Sequence, residues 1–220
     1  MTLKYRRVIS SYKKTVSGQI ILQPNPTNGI DTMIAGGVLA DKNYGVLTSS
    51  IAGKGTELFK GLIKFDLSSI PSGAIINTAT LSLYFYLQGD AVNRVVTTHR
   101  SLVQWYEGDG SGGAPSGDGS TWNYRNVNGS VAWSGGAGGR AGSDYVTLPT
   151  ATTTILASTY KFYDFDVKTD VSNFVNNVNT NHGWWILGEE GNSTKYKRYY
   201  TSDYTDDTNK RPKLLIDYTS

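Results

Sequence analysis

With 220 residues and a mass of 24.0 kDa, the chain has the size of a single β-sandwich or β-barrel domain. It contains no cysteine, which excludes a disulfide framework, a thiolate metal site and a cysteine nucleophile. The net charge of +3 is too small to indicate a nucleic-acid partner. The many tyrosines, glycines, threonines and asparagines are typical of strands and turns, so the composition predicts an all-β fold.

The chain begins with a basic segment, residues 1–18, which contains LKYRR, and residues 19–220 are predicted to form one domain. No apolar stretch with a small-residue cleavage site follows the basic residues, so no secretory signal is predicted. No apolar run is long enough to span a membrane, so membrane insertion is not expected. We expect an extracellular or virion-surface location, reached by release from a virus particle or by another route that needs no secretory signal.

The clearest predicted strand is TATLSLYFYLQ at residues 78–88, where small and apolar residues alternate with threonine, serine and tyrosine. The preceding segment FKGLIKFDL, residues 59–67, alternates in the same way and is joined to it by the turn SSIPSGA. We predict that these two strands pair in antiparallel fashion. Further strands are predicted at QIILQ, RVVTTHRSLV, KFYDFDV, GWWILG, KYKRYYTS and KLLIDYT.

One segment departs from the two-residue period. In KTDVSNFVNNV, residues 168–178, Val171, Phe174, Val175 and Val178 recur at helical spacing. The pattern predicts one short amphipathic helix across an open end of the sandwich, with Thr169 or Asp170 as its N-terminal cap.

The region from Glu107 to Thr154 is rich in glycine, serine and aspartate, as a flexible linker would be. It also carries several tryptophans and tyrosines, which linkers rarely contain. We therefore predict long ordered loops pinned by aromatic side chains, of the kind that often carry binding sites.

The stretch HGWWIL, residues 182–187, places Trp184 and Trp185 side by side. Neighbouring side chains of a strand point to opposite faces, so both rings cannot enter the same core. We predict that one ring lies in the sandwich core and the other packs beneath the helix and loops; an exposed binding platform is the alternative.

In order along the chain, the segments ADKNYG, GLIKFDLSSIPSGAIINTATLSLY, HRSLVQWYEG, STWNY, AWSGG, YDFDVKTDVSNFV, HGWWIL, YYTSD and RPKLLIDY run from residue 40 to residue 218. Together they resemble the DNRLRE domain, which overlaps carbohydrate-binding module family ninety-six and the disaggregatase-related domains. The resemblance implies an antiparallel jelly-roll sandwich that, in some members, binds acidic polysaccharides such as alginate. This sequence departs from the family pattern in its expanded loop WSGGAGGRAGSDY.

No catalytic constellation stands out in the sequence, so we expect a protein that is not an enzyme. His99 and His182 are the only histidines, and neither a nucleophile elbow nor a phosphate loop is present. A pair of carboxylates from distant strands is the one catalytic arrangement that spacing leaves open. His99 and Arg100 are expected to point to opposite faces of one strand; satisfying buried polar groups competes with ligand contact as their role.

A structural calcium ion is a candidate cofactor because several turns are rich in hard oxygen ligands. Asparagine and aspartate also serve turns through side-chain to backbone bonds, which is the alternative reading. The candidate ligands are Asp31, Asp41, Asn43, Glu107 and Asp109, with Asp118 nearby in sequence.

Sugar-binding surfaces combine aromatic rings with amides and charges. The guanidinium of Arg100 suits a uronate carboxylate. Tyr196, Tyr199 and Tyr200 are further strand-borne rings, and Tyr124 and Trp133 are further rings in the loops. The candidate ligand-binding residues are Arg100, Tyr84, Tyr86, Lys60, Lys64, Trp105, Trp122 and Arg198.

Two functional hypotheses follow. The first is a non-catalytic module that binds an acidic polysaccharide or a cell surface in an attachment or adhesion role. The second is a structural component of a virus particle, such as a capsid decoration, fibre or tail protein, which uses the sandwich as an assembly block. The predicted partners are therefore a glycan, further copies of the chain, or other virion proteins.

Overall fold

The computed structural model of this chain describes residues 17–158, 160–191 and 194–220. Most of the predicted basic N-terminal segment, including LKYRR, lies outside these residues. The described chain is built from antiparallel strands with one short helix: β1 (Ser17–Leu22), β2 (Ile30–Ala35), β3 (Ser49–Lys54), β4 (Leu58–Lys64), β5 (Ile75–Gln88), β6 (Arg94–Arg100), β7 (Tyr124–Asn126), β8 (Val131–Ala132), β9 (Ala151–Ile155), β10 (Lys161–Asp166), α1 (Lys168–Val175), β11 (Trp184–Leu187), β12 (Lys195–Tyr200) and β13 (Lys213–Thr219).

The strands form two layers that are continuous at one side. Hydrogen bonding follows the order β1-β13-β5-β12-β3-β4-β11-β6-β9, while β10 adds to β5 and β2 adds to β4. The main core lies between the layer around β5 and the layer around β4. It contains Leu83 and Ile216 from the first layer and Ile63, Val96 and Trp184 from the second. This confirms the predicted all-β, antiparallel sandwich.

Strand β5 shows why the alternating sequence gives this fold. Ala79, Leu81, Leu83 and Phe85 are buried in the core, as predicted, whereas the intervening residues point outward. Leu87 continues the apolar series but is exposed, because it lies at the end of the strand where the turn around Gly89 begins.

The predicted pairing of FKGLIKFDL with TATLSLYFYLQ is wrong. Strand β4 pairs with β2, β3 and β11, whereas β5 pairs with β10, β12 and β13. The SSIPSGA turn carries the chain from one layer to the other, so β4 contributes Ile63 to the core from one layer and β5 contributes Leu81, Leu83 and Phe85 from the other.

The predicted helix is present as α1, with Val171, Phe174 and Val175 buried against the core. Its predicted N-terminal cap is wrong: no side chain at the cap position serves the helix, and Asp166 Oδ1 instead accepts from the backbone N–H of Lys168 at 3.0 Å. Asn177 adopts a left-handed φ of 58° just after the helix. The helix therefore ends one turn earlier than the apolar pattern indicates, and Val178 is 69% exposed.

The Gly-rich region is an ordered cover and not a linker. Its side chains Trp133 and Tyr145, with Trp105 just before the region, form a second apolar cluster with Leu62 and Trp185, on the outer face of the layer around β4. Residues 138 and 139 must be glycine for this packing. Both have positive φ, and a Cβ at either position would overlap the ring of Trp122 or Trp185.

No helix among the described residues is long and apolar enough to cross a membrane.

Candidate functional site

The paired tryptophans of β11 divide between the two apolar clusters. Trp184 enters the main core, and Trp185 is completely buried in the second cluster. The Trp185 ring lies 4.8 Å from Trp133 and 5.0 Å from Tyr145, between centroids, and its Nε1 donates to Ser101 Oγ at 3.2 Å. The prediction that the second ring packs under a cover is confirmed for the loops, whereas helix α1 contacts the other ring, Trp184, through Phe174. These rings hold the loops in place and offer no platform to a ligand.

Two predicted ligand residues, Trp105 and Trp122, belong to the same cover. Trp105 is only 2% exposed, and its Nε1 donates to the carbonyl oxygen of His182 at 2.7 Å. Trp122 is partly buried against the second cluster. The family-like motifs that contain them therefore serve loop packing in this chain.

The Lys60 ammonium is also committed to the cover. It donates to the carbonyl oxygens of Gly138 and Gly139 at 3.0 and 3.4 Å, and it lies 5.4 Å from the centroid of the Trp122 ring. Burial lowers the pKa of Lys60, while the charge of Glu190 opposes that shift. Lys60 is therefore separated from Tyr84 and Tyr86, the other predicted ligand residues, because β4 and β5 lie in different layers.

The two predicted arginines are placed apart from each other. Arg100 Nε lies 3.5 Å from Asp170 Oδ1, where the pair links the end of β6 to helix α1. Arg198 lies on β12 opposite Ile51 of β3, and its Nε is buried without a hydrogen-bond partner. His99 satisfies buried polar groups, since its ring nitrogens contact Val146 O at 2.9 Å and Thr97 Oγ1 at 3.0 Å.

In the part of the chain that the structure describes, no strand or helix covers the outer face of the layer around β5, and four tyrosines lie on it. We call Tyr84, Tyr86, Tyr200 and Tyr204 the tyrosine stack. Tyr200 lies between Tyr86, at 4.1 Å and 6° to its ring, and Tyr204, at 3.6 Å and 15°. Tyr84 lies 5.9 Å from Tyr200 and donates its hydroxyl to the carbonyl oxygen of Tyr160. Burial, and then the hydroxyl of Tyr204, raise the pKa of Tyr200.

Cationic groups flank the tyrosine stack. Lys210 Nζ lies 5.3 Å from the centroid of Tyr84 and 3.2 Å from Asp207 Oδ2. Lys213 Nζ lies 4.6 Å from the ring of Phe162, which contacts Tyr84 edge to face. The stack thus combines ring surface with ammonium groups on a sheet face that also carries Thr80 and Ser82 of β5 and Asp164 of β10, whose carboxylate accepts from the Ser82 hydroxyl.

A groove with a volume of about 870 Å³ opens at one end of the sandwich. Lys64 lies in its wall. Burial, and then the charges of Lys64, Arg125 and Arg100, lower the pKa of His182 beside it. Gln23 in the same wall donates to the carbonyl oxygens of Thr208, Asn209 and Arg211, so the groove borders the segment that carries Lys210. The groove is lined by Ile21, Leu22, Gln23, Pro24, Asn28, Ile30, Lys64, Phe65, Asp66, Ser68, Ser69, Thr180 and Asn181.

Of the five predicted metal ligands, the structure brings two together and adds a third acid. Asp31 of β2, Glu107 after β6 and Asp203 after β12 each place one carboxylate oxygen within 4.8 Å of the others. We call these three residues the acidic cluster. No sequence pattern predicted Asp203 as a metal ligand, although it is the last residue of the family-like segment YYTSD.

The other predicted metal ligands have structural roles elsewhere. Asp41 accepts from Asn123 Nδ2 at 2.6 Å, and Asp109 accepts from the backbone and hydroxyl of Ser116. Asn43 is completely buried and donates to the carbonyl oxygens of Glu107 and Ser120. Asn43 therefore fixes the backbone of Glu107 and leaves the carboxylate of that residue to the acidic cluster.

Within the acidic cluster, hydrogen bonds use only part of the available oxygen. Glu107 Oε1 accepts from the backbone N–H of Asp31 at 2.7 Å, and Asp31 Oδ2 accepts from that of Ser202 at 2.9 Å. Asp31 Oδ1 is buried and has no hydrogen-bond partner. Burial raises the pKa of Asp31 to about 7, that of Glu107 to about 8 and that of Asp203 to about 6.

A pH-dependent stability follows from Asp31. In the presence of EDTA, the variant Asp31→Asn is expected to gain stability relative to the unchanged chain as pH rises from about 5 to about 8. A carboxyl with a raised folded pKa stabilises the fold most below its unfolded value of 3.8, and this contribution is lost as pH rises through about 7. Asparagine does not titrate, so the difference in free energy of unfolding should shift by a few kcal/mol, since each pKa unit corresponds to about 1.4 kcal/mol.

Urea denaturation of both proteins at several pH values measures this shift. Asp164→Asn, on the exposed face of β10, is the matched control and should show a constant difference from the unchanged chain. A constant difference for Asp31→Asn as well would show that Asp31 does not take up a proton on folding.

The fold and these surfaces define a class: an antiparallel β-sandwich module in which loops cover one layer and aromatic rings line the open face of the other. The chain belongs to the family described as disaggregatase related repeat domain, whose match spans residues 38–216. That span includes the tyrosine stack, Glu107 and Asp203. A comparison with curated proteins gave no match.

Proposed function

We propose that this chain is a non-catalytic module that binds an acidic polysaccharide on the tyrosine stack, in an attachment or adhesion role at a cell or virion surface. The observation that carries the proposal is the tyrosine stack itself, on a sheet face that no strand or helix among residues 17–158, 160–191 and 194–220 covers. The resemblance to carbohydrate-binding module family ninety-six supports the same ligand class.

The stack is not needed to fill the core. The core side of β5 is already complete with Leu81, Leu83 and Phe85, whereas Tyr84 and Tyr86 lie half-buried on the opposite face. Large rings gathered on an open face are typical of binding surfaces, because the CH face of a sugar packs on a ring while tyrosine hydroxyls meet the sugar hydroxyls.

The geometry of the rings indicates where a sugar would pack. Both faces of Tyr200 are covered, by Tyr86 on one side and Tyr204 on the other. The free ring faces therefore belong to Tyr86 and Tyr204, at the two ends of the column. A chain of sugar units across the column would meet one ring face at each end and a row of hydroxyls between them.

The charges favour an acidic ligand. Lys210 and Lys213 flank the stack, and the wall of the neighbouring groove carries Lys64. Gln23 joins the groove to the segment of Lys210, so a long chain can contact both surfaces. Ammonium groups attract uronate carboxylates most strongly at low salt, since exposed charges are screened by ions.

Calorimetric titration with alginate oligosaccharides tests this proposal. Tyr86→Ala and Lys210→Ala are each expected to weaken binding by about tenfold, which corresponds to about 1.4 kcal/mol. Tyr124→Ala and Lys168→Ala are matched controls, because both side chains lie away from the stack, in β7 and at the start of α1. The controls should leave the affinity unchanged.

The same experiment separates this proposal from the assembly-block hypothesis. Mass measurement of the unchanged protein should give a monomer that binds uronate oligomers. A stable oligomer without uronate binding would contradict the proposal and favour a structural role in a virus particle. Equal binding by Tyr86→Ala, Lys210→Ala and the controls would contradict the assignment of the stack.

A further inference from the structure

The acidic cluster gathers three carboxyl groups, one buried and two partly buried, in one place. Its members come from β2, from the loop after β6 and from the segment after β12, so three distant parts of the chain converge here. Among the described residues, none of the ion pairs involves a member of the cluster. The charge of Arg211 acts on Asp203 from a distance and lowers its pKa, against the effect of burial.

One carboxylate oxygen of Asp31 is buried without a partner, which is a feature independent of the clustering. Asp31 is only 2% exposed, and its Oδ1 atom lies buried without a hydrogen-bond partner. Buried polar atoms are satisfied in more than nine cases in ten, and an unpaired carboxylate oxygen is among the most costly exceptions.

We propose that the acidic cluster is a calcium-binding site, with Asp31, Glu107 and Asp203 as its protein ligands. Calcium takes hard oxygen ligands at about 2.3–2.6 Å, so two ligands of one ion lie at most about 5 Å apart. The carboxylate oxygens of the cluster lie within 4.8 Å of one another and satisfy this limit. All three donors are carboxylates, with no imidazole or thiolate, which favours calcium over zinc.

The ion gives the unpaired oxygen of Asp31 a partner and neutralises the cluster. It also ties together β2, the start of the Gly-rich cover and the segment that carries Tyr204. In a chain without cysteine, such a tie supplies the constraint that a disulfide supplies elsewhere. Binding to the folded state alone raises stability in proportion to the logarithm of calcium concentration above the dissociation constant.

Thermal unfolding of the full chain after EDTA treatment, with and without added CaCl₂, tests the site. Calcium is expected to raise the Tm of the unchanged protein by roughly 5 °C at a hundredfold excess over the dissociation constant. Direct calorimetric titration with CaCl₂ should give one site per chain. MgCl₂ at the same concentration should give a smaller shift, because magnesium requires shorter bonds and stricter geometry.

The variants Glu107→Gln and Asp203→Asn should lose the calcium-dependent shift and bind calcium at least tenfold more weakly. Asp41→Asn and Asp109→Asn are matched controls, because these acids lie in nearby loops but outside the cluster. Far-ultraviolet circular dichroism confirms that each variant is folded before it is titrated.

Three results would overturn the proposal. The first is an absent shift and no binding heat for the unchanged protein at millimolar calcium. The second is calcium binding by Glu107→Gln and Asp203→Asn that equals that of the unchanged chain. The third is an equal loss of binding in Asp41→Asn and Asp109→Asn. None of these results depends on polysaccharide binding. The calcium site and the proposed function are therefore tested independently, and either one can be contradicted without the other.

Discussion

Replacing Trp185 by alanine is expected to lower the free energy of unfolding by about 3–5 kcal/mol, the range for large aromatic residues removed from a packed core. The ring is completely buried and contacts Trp133 and Tyr145, while its Nε1 donates to Ser101. Its loss leaves a cavity between β11 and the loops, and it leaves the Ser101 hydroxyl with one partner fewer. Urea denaturation measures the loss of stability.

The region that loosens in Trp185→Ala distinguishes a loss of loop anchoring from a general loss of core packing. Amide hydrogen exchange in the variant should become faster first in residues 101–147, because Trp185 holds those loops against the sheet. Leu148→Ala is the control: Leu148 is 80% exposed, so its removal should change stability by less than about 0.5 kcal/mol. A loss below about 1 kcal/mol for Trp185→Ala, or unchanged loop exchange, would show that the ring does not anchor the cover.

Replacing Asp170 by alanine is expected to cost about 3–4 kcal/mol, because one buried carboxylate serves three partners. It accepts from Thr150 Oγ1 at 2.6 Å and from Trp184 Nε1 at 2.9 Å, and it lies 3.5 Å from Arg100 Nε. The alanine variant leaves the indole N–H and a largely buried guanidinium without their acceptor. Chemical denaturation of the variant gives the cost.

Asp170→Asn separates the hydrogen bonds from the charge. Its amide oxygen still accepts from Trp184 or Thr150, so it should lose less stability than the alanine variant. Asp164→Ala is the surface control, because its carboxylate binds Ser82 at an exposed position. Equal, small losses for Asp170→Ala and Asp164→Ala would contradict the role of Asp170 as the link between α1, β6 and β11.

The partners of Asp170 also explain why this residue does not cap helix α1, as the sequence predicts. An aspartate in the first turn of a helix is commonly a cap, and the sequence predicts that role for Thr169 or Asp170. The tertiary partners of Asp170 come from β6, β11 and the segment before β9, which are distant in sequence. A local pattern therefore identified the helix but could not identify what its buried acid binds.

Local periodicity predicted much of the fold. The alternation in β5 predicted which residues enter the core, and strand geometry predicted that Trp184 and Trp185 would separate. The partners of the strands could not be predicted in the same way. Strands β4 and β5 are neighbours in sequence, yet they lie in opposite layers, which is why Lys60 and Lys64 do not join Tyr84 and Tyr86.

The candidate sites were predicted only in part, for the same physical reason. Tyr84 and Tyr86 were identified from their alternating positions, but Tyr204 and Lys210 reach them from a segment without periodicity. The oxygen-rich turns suggested Asp31 and Glu107, whereas Asp203 joins them only through the path of the chain after β12. The Gly-rich loops were expected to carry binding, but their tryptophans are occupied in covering Trp185.

The segment 201–212 connects the surfaces described above. Asp203 belongs to the acidic cluster, Tyr204 to the tyrosine stack and Lys210 to its edge, while carbonyl groups near its end bind Gln23 of the groove. Arg211 Nε donates back to Tyr204 O at 2.7 Å and closes the segment on itself. Changes that loosen this segment should therefore affect calcium binding and polysaccharide binding together.

Hydroxyl-radical footprinting of the full chain, with and without saturating alginate oligosaccharide, tests the central claim most directly. Oxidation of tyrosine side chains reports which rings a bound sugar covers. We predict that Tyr86 and Tyr204 become protected, while Tyr124 of β7, which lies away from the stack, keeps its reactivity. Protection confined to the loops of residues 108–147, or no protection at any tyrosine, would contradict it.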